Sequence, residues 1–131
     1  MDRVSPTISV IDDNASVRRA LRRLIRAAGL DAETFASAEE FLAAAGRQAP
    51  VCLILDVRMS GMSGLELQRR LASAAPHIPI VFITAHEDED ARRAALAAGA
   101  VGYLQKPFDD WVLLDSVAKA LARSGSGGPA G

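Results

Sequence analysis

The sequence predicts an α/β fold of five consecutive βα units, (βα)5, in which a parallel sheet is covered by helices. Two observations carry this. Short apolar, β-branched runs alternate with longer amphipathic segments along the chain, the rhythm of strands that pair in parallel through helical crossovers. Runs such as "VCLIL" and "IVFIT" are also apolar at consecutive positions, as strands buried on both faces must be.

The first strand is expected at Ile8 to Ile11. A helix opens at "DNAS" and repeats apolar residues at Val17, Leu21, Leu24, Ile25 and Ala28 before Gly29 stops it. Its other face carries Arg18, Arg19, Arg22, Arg23 and Arg26, either a solvated face or a dock for an acidic partner. The second strand, Ala32 to Phe35, is the least apolar and belongs at an edge. The helix "SAEEFLAAAG" has a capping-box pattern, Ser37 standing three residues before Glu40. The third strand runs from Val51 to Asp56, and its helix from Gly64 to about Pro76. The fourth strand, Ile80 to Thr84, leads to a helix from about Glu87 to Ala98 that closes at Gly99. The fifth, Val101 to Gln105, leads to a helix from about Asp109 with Leu113, Leu114, Val117 and Leu121 toward the core. Trp111 lies at the flank of that stripe, which leaves exposure and core packing equally open. After Arg123, "SGSGGPAG" offers no core and suits a tail or linker.

Composition narrows the function classes. Half the residues are hydrophobic and 24% are charged, as in an ordinary folded domain. A formal net charge of -1 gives no basic excess for holding a phosphate backbone, so direct nucleic-acid binding by this segment is not expected. No apolar run approaches the roughly 18 residues of a membrane span, and "MDRVSPT" lacks a signal peptide's apolar core. A cytoplasmic location with no membrane contact is the expectation. Cys52, the one cysteine, sits in an apolar run and reads as a small buried hydrophobe.

In an open parallel sheet, ligand sites form beyond the carboxyl ends of the strands. Here the first strand ends in Asp12 and Asp13, the third in Asp56, the fourth in Thr84, and the fifth in Gln105, Lys106 and Pro107. One acid at such an end is commonly a helix cap, and Asp13 or Asn14 suits the first helix. Three acids at one rim repel, and a hard divalent cation with oxygen ligands, Mg2+ foremost, would balance them. Lys106, one of only two lysines, would neutralise an oxygen of a phosphoryl group held there. Its bond to Pro107 is of the type that tolerates cis geometry, and a cis bond is expected.

The order Asp12-Asp13, Asp56, "VFITA" with Thr84, and "GYLQKPF" with Tyr103 and Lys106 resembles the receiver domain of two-component response regulators. The resemblance covers Ile8 to about Arg123, and "LDVRMSGMSGLEL" is most similar to FixJ-type regulators, whose receivers usually precede a helix-turn-helix output domain. It implies a flavodoxin-like three-layer sandwich with strand order 2-1-3-4-5, a receiver over residues 1–123 and a tail or linker over 124–131. It implies a signalling switch rather than a metabolic enzyme, assisting its own phosphorylation and slow dephosphorylation. Asp56 would be the phosphoacceptor, served by a sensor histidine kinase, a phosphotransfer protein or acetyl phosphate. Asp13, Asp56 and the backbone carbonyl of Arg58 would bind Mg2+, with Asp12 binding directly or through water and Mn2+ able to substitute. Lys106 and Thr84 would contact the phosphoryl oxygens, and Thr84 and Tyr103 would move together as the switch. The face of helix 4, strand 5 and helix 5 would then meet a partner or a second copy as a homodimer, with an output in transcription. A single-domain relay or phosphate sink is the alternative.

One residue departs from the pattern: Ser60 stands where the family usually has proline, which leaves the loop after Asp56 less stiff. Two other chemistries fit less well. A haloacid dehalogenase-type phosphatase needs a DxD pair, and Asp56-Val57-Arg58 lacks the second acid. An FMN carrier needs a hydroxyl- and glycine-rich phosphate loop after the first strand, where "DDNAS" would repel phosphate.

Overall fold

A computed structural model describes residues 6–44 and 49–126. Five strands and five helices alternate as β1 (Thr7–Ile11), α1 (Ala15–Ala27), β2 (Asp31–Phe35), α2 (Ala38–Ala43), β3 (Cys52–Asp56), α3 (Gly64–Ala74), β4 (Ile80–Thr84), α4 (Glu89–Ala97), β5 (Gly102–Gln105) and α5 (Asp110–Ser126). All neighbouring strands pair in parallel, in the order β2-β1-β3-β4-β5. The weakly apolar β2 is therefore an edge. β3 and β4 are buried along their whole length, which is why their sequences show no period-2 alternation.

Alternate residues of those strands feed two cores. Leu53, Leu55, Ile80 and Phe82 pack with Ala38 and Phe41 of α2, Leu67 and Leu71 of α3, and Ala91 and Ala95 of α4. Ile54, Val81 and Ile83 pack on the opposite face with Leu21 and Ile25 of α1 and Leu113, Val117 and Ala120 of α5. Each such large side chain contributes about 1.5–3 kcal/mol by leaving water. The result is a three-layer sandwich whose loops after β1, β3, β4 and β5 share one rim.

Local chemistry sets the boundaries. Asn14, not Asp13, caps α1, its side-chain oxygen accepting from the N–H groups of Ser16 at 2.8 Å and Val17 at 3.2 Å. The apolar stripe of α1 ends at Ile25, and Ala28 is an exposed C-cap. Ser37 caps α2 by accepting from the Glu40 N–H, while the Glu40 carboxylate reaches Ala36 N rather than closing the box on Ser37. The complete capping box lies on α3, between Ser63 and Glu66. The Asp88 carboxylate accepts from Ala91 N at 3.0 Å, which delays α4 to Glu89 from the expected Glu87. α5 continues to Ser126, into the stretch read as a tail or linker over 124–131; the remainder of that stretch, 127–131, lies outside the described residues. Trp111 is 68% exposed on that helix, so it belongs to the surface and not to the core. Cys52 is fully buried, and burial pushes its thiol up to about 12, consistent with a packing role.

Candidate functional site

Asp12 directly follows β1 with a side chain fully removed from solvent, and three groups hold it. Asn14 N–H donates to its Oδ1 at 2.9 Å, Lys106 Nζ donates to its Oδ2 at 2.9 Å, and Arg18 Nη1 donates to its backbone carbonyl at 2.7 Å. Lys106 follows directly on β5, which β3 and β4 separate from β1, and its N–H bonds the Thr84 carbonyl at 2.7 Å. The Lys106–Pro107 peptide is cis.

Asp56 ends β3 beside this pair. Lys106 Nζ is 3.9 Å from its Oδ2, a full ångström farther than from Asp12. Asp13 is exposed at the mouth, and one carboxylate oxygen from each of Asp12, Asp13 and Asp56 lies within 4.8 Å of the others. Burial, then the Asp12 charge, raises the Asp56 carboxyl from 3.8 to about 6, with Lys106 and the Arg58 N–H opposing them. One lysine among three clustered carboxylates leaves a net negative pocket of oxygen donors. Such a donor set suits a hard divalent cation.

The backbone around Asp56 is fixed tightly. Val57 N bonds Ile83 O at 3.1 Å, and Gly64 N bonds Val57 O at 2.9 Å, folding the loop back onto the strand. Gly64 opens α3 against this turn. A β-carbon there would run into the Asp56 carbonyl oxygen and stand 3.1 Å from its carbon, so the start of α3 has to be a glycine.

Thr84 and Tyr103 share one sheet face, since Phe82 pairs with Tyr103 and Thr84 with Gln105. The buried Thr84 hydroxyl is engaged within its own loop, accepting from His86 N at 3.1 Å and donating to His86 O at 3.3 Å. The half-buried Tyr103 ring tilts against Phe82 at 6.2 Å, and its buried hydroxyl has no hydrogen-bond partner. Beside it is a recess of about 550 Å³, whose lining includes His86, Asp88, Glu89, Arg92 and Gln105. The Arg58 side chain turns away from the carboxylates to pair with Asp88 at 3.3 Å. A second recess of about 570 Å³ lies at the opposite end of the sheet, around Ala75, Ile78, Pro79 and Ala100, far from this chemistry.

Asp12, Asp13, Asp56, Thr84 and Lys106 therefore lie at this rim, and Tyr103 lies on the adjoining sheet face. Four contacts were not anticipated: Arg18 on Asp12 O, Asn14 N on Asp12 Oδ1, Arg58 on Asp88, and Glu39 of α2 on Met62 N at 2.9 Å. Only the second had a sequence signal, the turn-forming Asp12 that opens "DDNAS" and accepts from the backbone two residues on. The exposed arginines of α1 begin beside this rim; among the described residues, none of Arg18, Arg19, Arg22, Arg23 and Arg26 has a carboxylate in ion-pair range.

The response regulator receiver domain family matches residues 8–118 of this chain. Nodulation protein W of Bradyrhizobium diazoefficiens is 45% identical over 116 residues, which are 88% of this chain and 51% of that protein. Response regulator protein TodT of Pseudomonas putida is 46% identical over 120 residues, 92% of this chain and 52% of its own. The chain thus spans about half the length of these relatives. Among solved structures, FixJ-N superposes with a TM-score of 0.81 at 35% identity, over 92% of this chain and 96% of that one. With the sheet order and the acidic rim both in place, these matches show that the chain belongs to the response regulator receiver domain family.

Proposed function

We propose that this receiver is a phosphorylation-driven switch in which Asp56 accepts a phosphoryl group from a histidine kinase, a phosphotransfer protein or a small phosphodonor. The observation that carries the reading is the juxtaposition at Asp56: a nearly buried carboxylate with Lys106 Nζ at 3.9 Å and two further carboxylates within 4.8 Å. A carboxylate nucleophile must be ionised, and a pKa of about 6 leaves it ionised roughly ten to one near pH 7. The Asp56 oxygen forms the new bond to phosphorus while the bond to the donor nitrogen or oxygen breaks and its electron pair leaves with the donor.

Phosphoryl transfer gives a protein little covalent work, so positioning and charge neutralisation dominate. Asp13, Asp56 and the Arg58 carbonyl would hold Mg2+ or Mn2+, with Asp12 direct or through water, and the ion would neutralise charge on the transferred group. Lys106 can reach a phosphoryl oxygen by releasing the longer of its two contacts, since Asp12 keeps it anchored at 2.9 Å. Thr84 would exchange its two bonds to His86 for one to the phosphoryl group. Because it shares a sheet face with Tyr103, whose hydroxyl has no partner where it now sits, that exchange supports a coupled movement of the ring. The new group adds roughly -1.5 to -2 of charge, and it shifts the fold only as far as it prefers one state over another.

The α4–β5–α5 face carries the two exposed large hydrophobics of the described residues, Leu96 and Trp111, and would engage the partner or second copy. The arginine face of α1, which has no carboxylate in ion-pair range among the described residues, suits the acidic surface of a docking phosphodonor protein. A transcriptional output fits the FixJ-type likeness. The test is intact mass before and after incubation with acetyl phosphate and Mg2+. One phosphoryl group is expected on the wild type and none on Asp56→Asn; no gain in the wild type, or an equal gain in the variant, refutes the assignment.

A further inference from the structure

The loop from Arg58 to Ser63 connects Asp56 to α3 and lacks the stiffening that proline at position 60 would give. A serine there leaves φ free, yet the loop must hold the Arg58 backbone close to Asp56. Its two ends are tied, by Gly64 N to Val57 O at one side and by the Ser63–Glu66 capping box at the other. Among the described residues, the middle, Met59 to Met62, makes no backbone hydrogen bond to either end.

A side chain from another helix reaches it. Glu39, on the first turn of α2 and 23 positions away in sequence, accepts the Met62 N–H on its Oε2 at 2.9 Å. Gly61 leaves room for this approach: a β-carbon there would lie 2.7 Å from the same oxygen and displace the carboxylate. Gly61 also takes φ +77°, the left-handed conformation that glycine alone adopts without strain. The bond to Met62 and the Arg70 charge hold the Glu39 carboxyl below its usual value, so the acceptor is ionised at neutral pH. Met59 and Met62 pack on the core beside α2, so the tie joins two surfaces already in contact.

We propose that Glu39 is a positioning residue for the phosphoacceptor loop, a carboxylate staple that takes the place of the proline missing at position 60. It acts through the backbone. By fixing Met62 it limits the excursions of Met59 to Gly61 and so keeps the Arg58 carbonyl where the carboxylates of Asp13 and Asp56 can use it. The inference rests on the proposed Mg2+ site at Asp56, and it adds a residue outside the rim to the machinery that preorganises that site.

Three variants, Glu39→Ala, Ser60→Pro and their combination, test it through Mg2+ affinity, measured by isothermal titration without any phosphodonor, and through hydrogen exchange of residues 58–62. Glu39→Ala is expected to weaken Mg2+ by roughly three- to tenfold, less than the tenfold or more typical of a partner directly on a ligand, and to speed exchange in the loop. Ser60→Pro should restore most of the affinity in the Glu39→Ala background and change little in the wild type. Phosphorylation by acetyl phosphate should slow at subsaturating Mg2+ and recover at saturation. A folded Glu39→Ala protein with unchanged Mg2+ affinity overturns the proposal. So does a loss that Ser60→Pro fails to recover, since that would mark Glu39 as serving the first turn of α2 and not the loop. A wild type that binds no Mg2+ would instead refute the reading of the Asp56 site itself.

Discussion

Replacing Asp56 by Asn removes one of three crowded carboxylate charges and leaves Lys106 with its shorter partner, Asp12, at 2.9 Å. Burial and the Asp12 charge lift the Asp56 carboxyl from 3.8 to about 6. At about 1.36 kcal/mol per unit, the lift corresponds to at most about 3 kcal/mol against the ionised native state. Asp13 opens the site to solvent, and screening there brings the figure to about 1–2 kcal/mol. Because the folded pKa lies above the unfolded one, the native state binds more protons between the two values. The wild type therefore loses this stability as pH rises from about 4 to about 6 and stays at the lower level above that. Asn does not titrate, so Asp56→Asn should match the wild type near pH 4 and exceed it near pH 7.5. At roughly 4 °C per kcal/mol, the gain in Tm at the higher pH is about 4–8 °C. Thermal or urea unfolding in EDTA at both pH values measures it. Mg2+ should then close the gap, because an ion at 100 times its Kd adds about 2.7 kcal/mol to a native state that binds it, and the variant has lost a ligand. A variant no more stable than the wild type near pH 7.5, or one with the same gain near pH 4, would show that Asp56 is not electrostatically strained.

Gly64→Ala places a β-carbon against the Asp56 carbonyl and should cost about 1–3 kcal/mol by overpacking, read by urea unfolding, together with slower phosphorylation by acetyl phosphate. Lys106→Met removes the ion partner of the fully buried Asp12 carboxylate; without Mg2+ the loss should be about 3 kcal/mol, and added Mg2+ should recover part of it. Arg22→Glu turns like-charge neighbours Arg18, Arg19 and Arg26 into attractive pairs along α1. It should raise stability by about 0.5–1 kcal/mol at low salt, an effect that thermal unfolding in 1 M salt should largely erase.

Much of this molecule is legible without coordinates. Continuous apolar runs mark β3 and β4 because both faces of those strands are covered, and Gly29 and Gly99, both at positive φ, end α1 and α4 where they were expected. The residues that end the strands are legible for the same reason. A parallel sheet exposes its carboxyl ends on one side, so Asp12, Asp13, Asp56, Thr84 and Lys106 had to meet. The capping of α1 was less clear, since Asp13 and Asn14 are both good caps and only geometry separates them. The end of α5 is not legible in the sequence, because glycine and serine are weak helix formers without being absolute stops.

The sequence by itself determined the order of strands and helices, the faces they bury, and which chemical groups reach the rim, because periodicity and terminal residues are local properties of the chain. Tertiary structure decided the pairings. Lys106 sits closer to Asp12 than to Asp56, the Thr84 hydroxyl bonds His86, and Glu39 crosses to the loop that carries Arg58. These choices join residues as far as 94 positions apart, or set one hydroxyl against competing partners at ångström range. Burial and backbone placement settle them, and neither is written in any one segment.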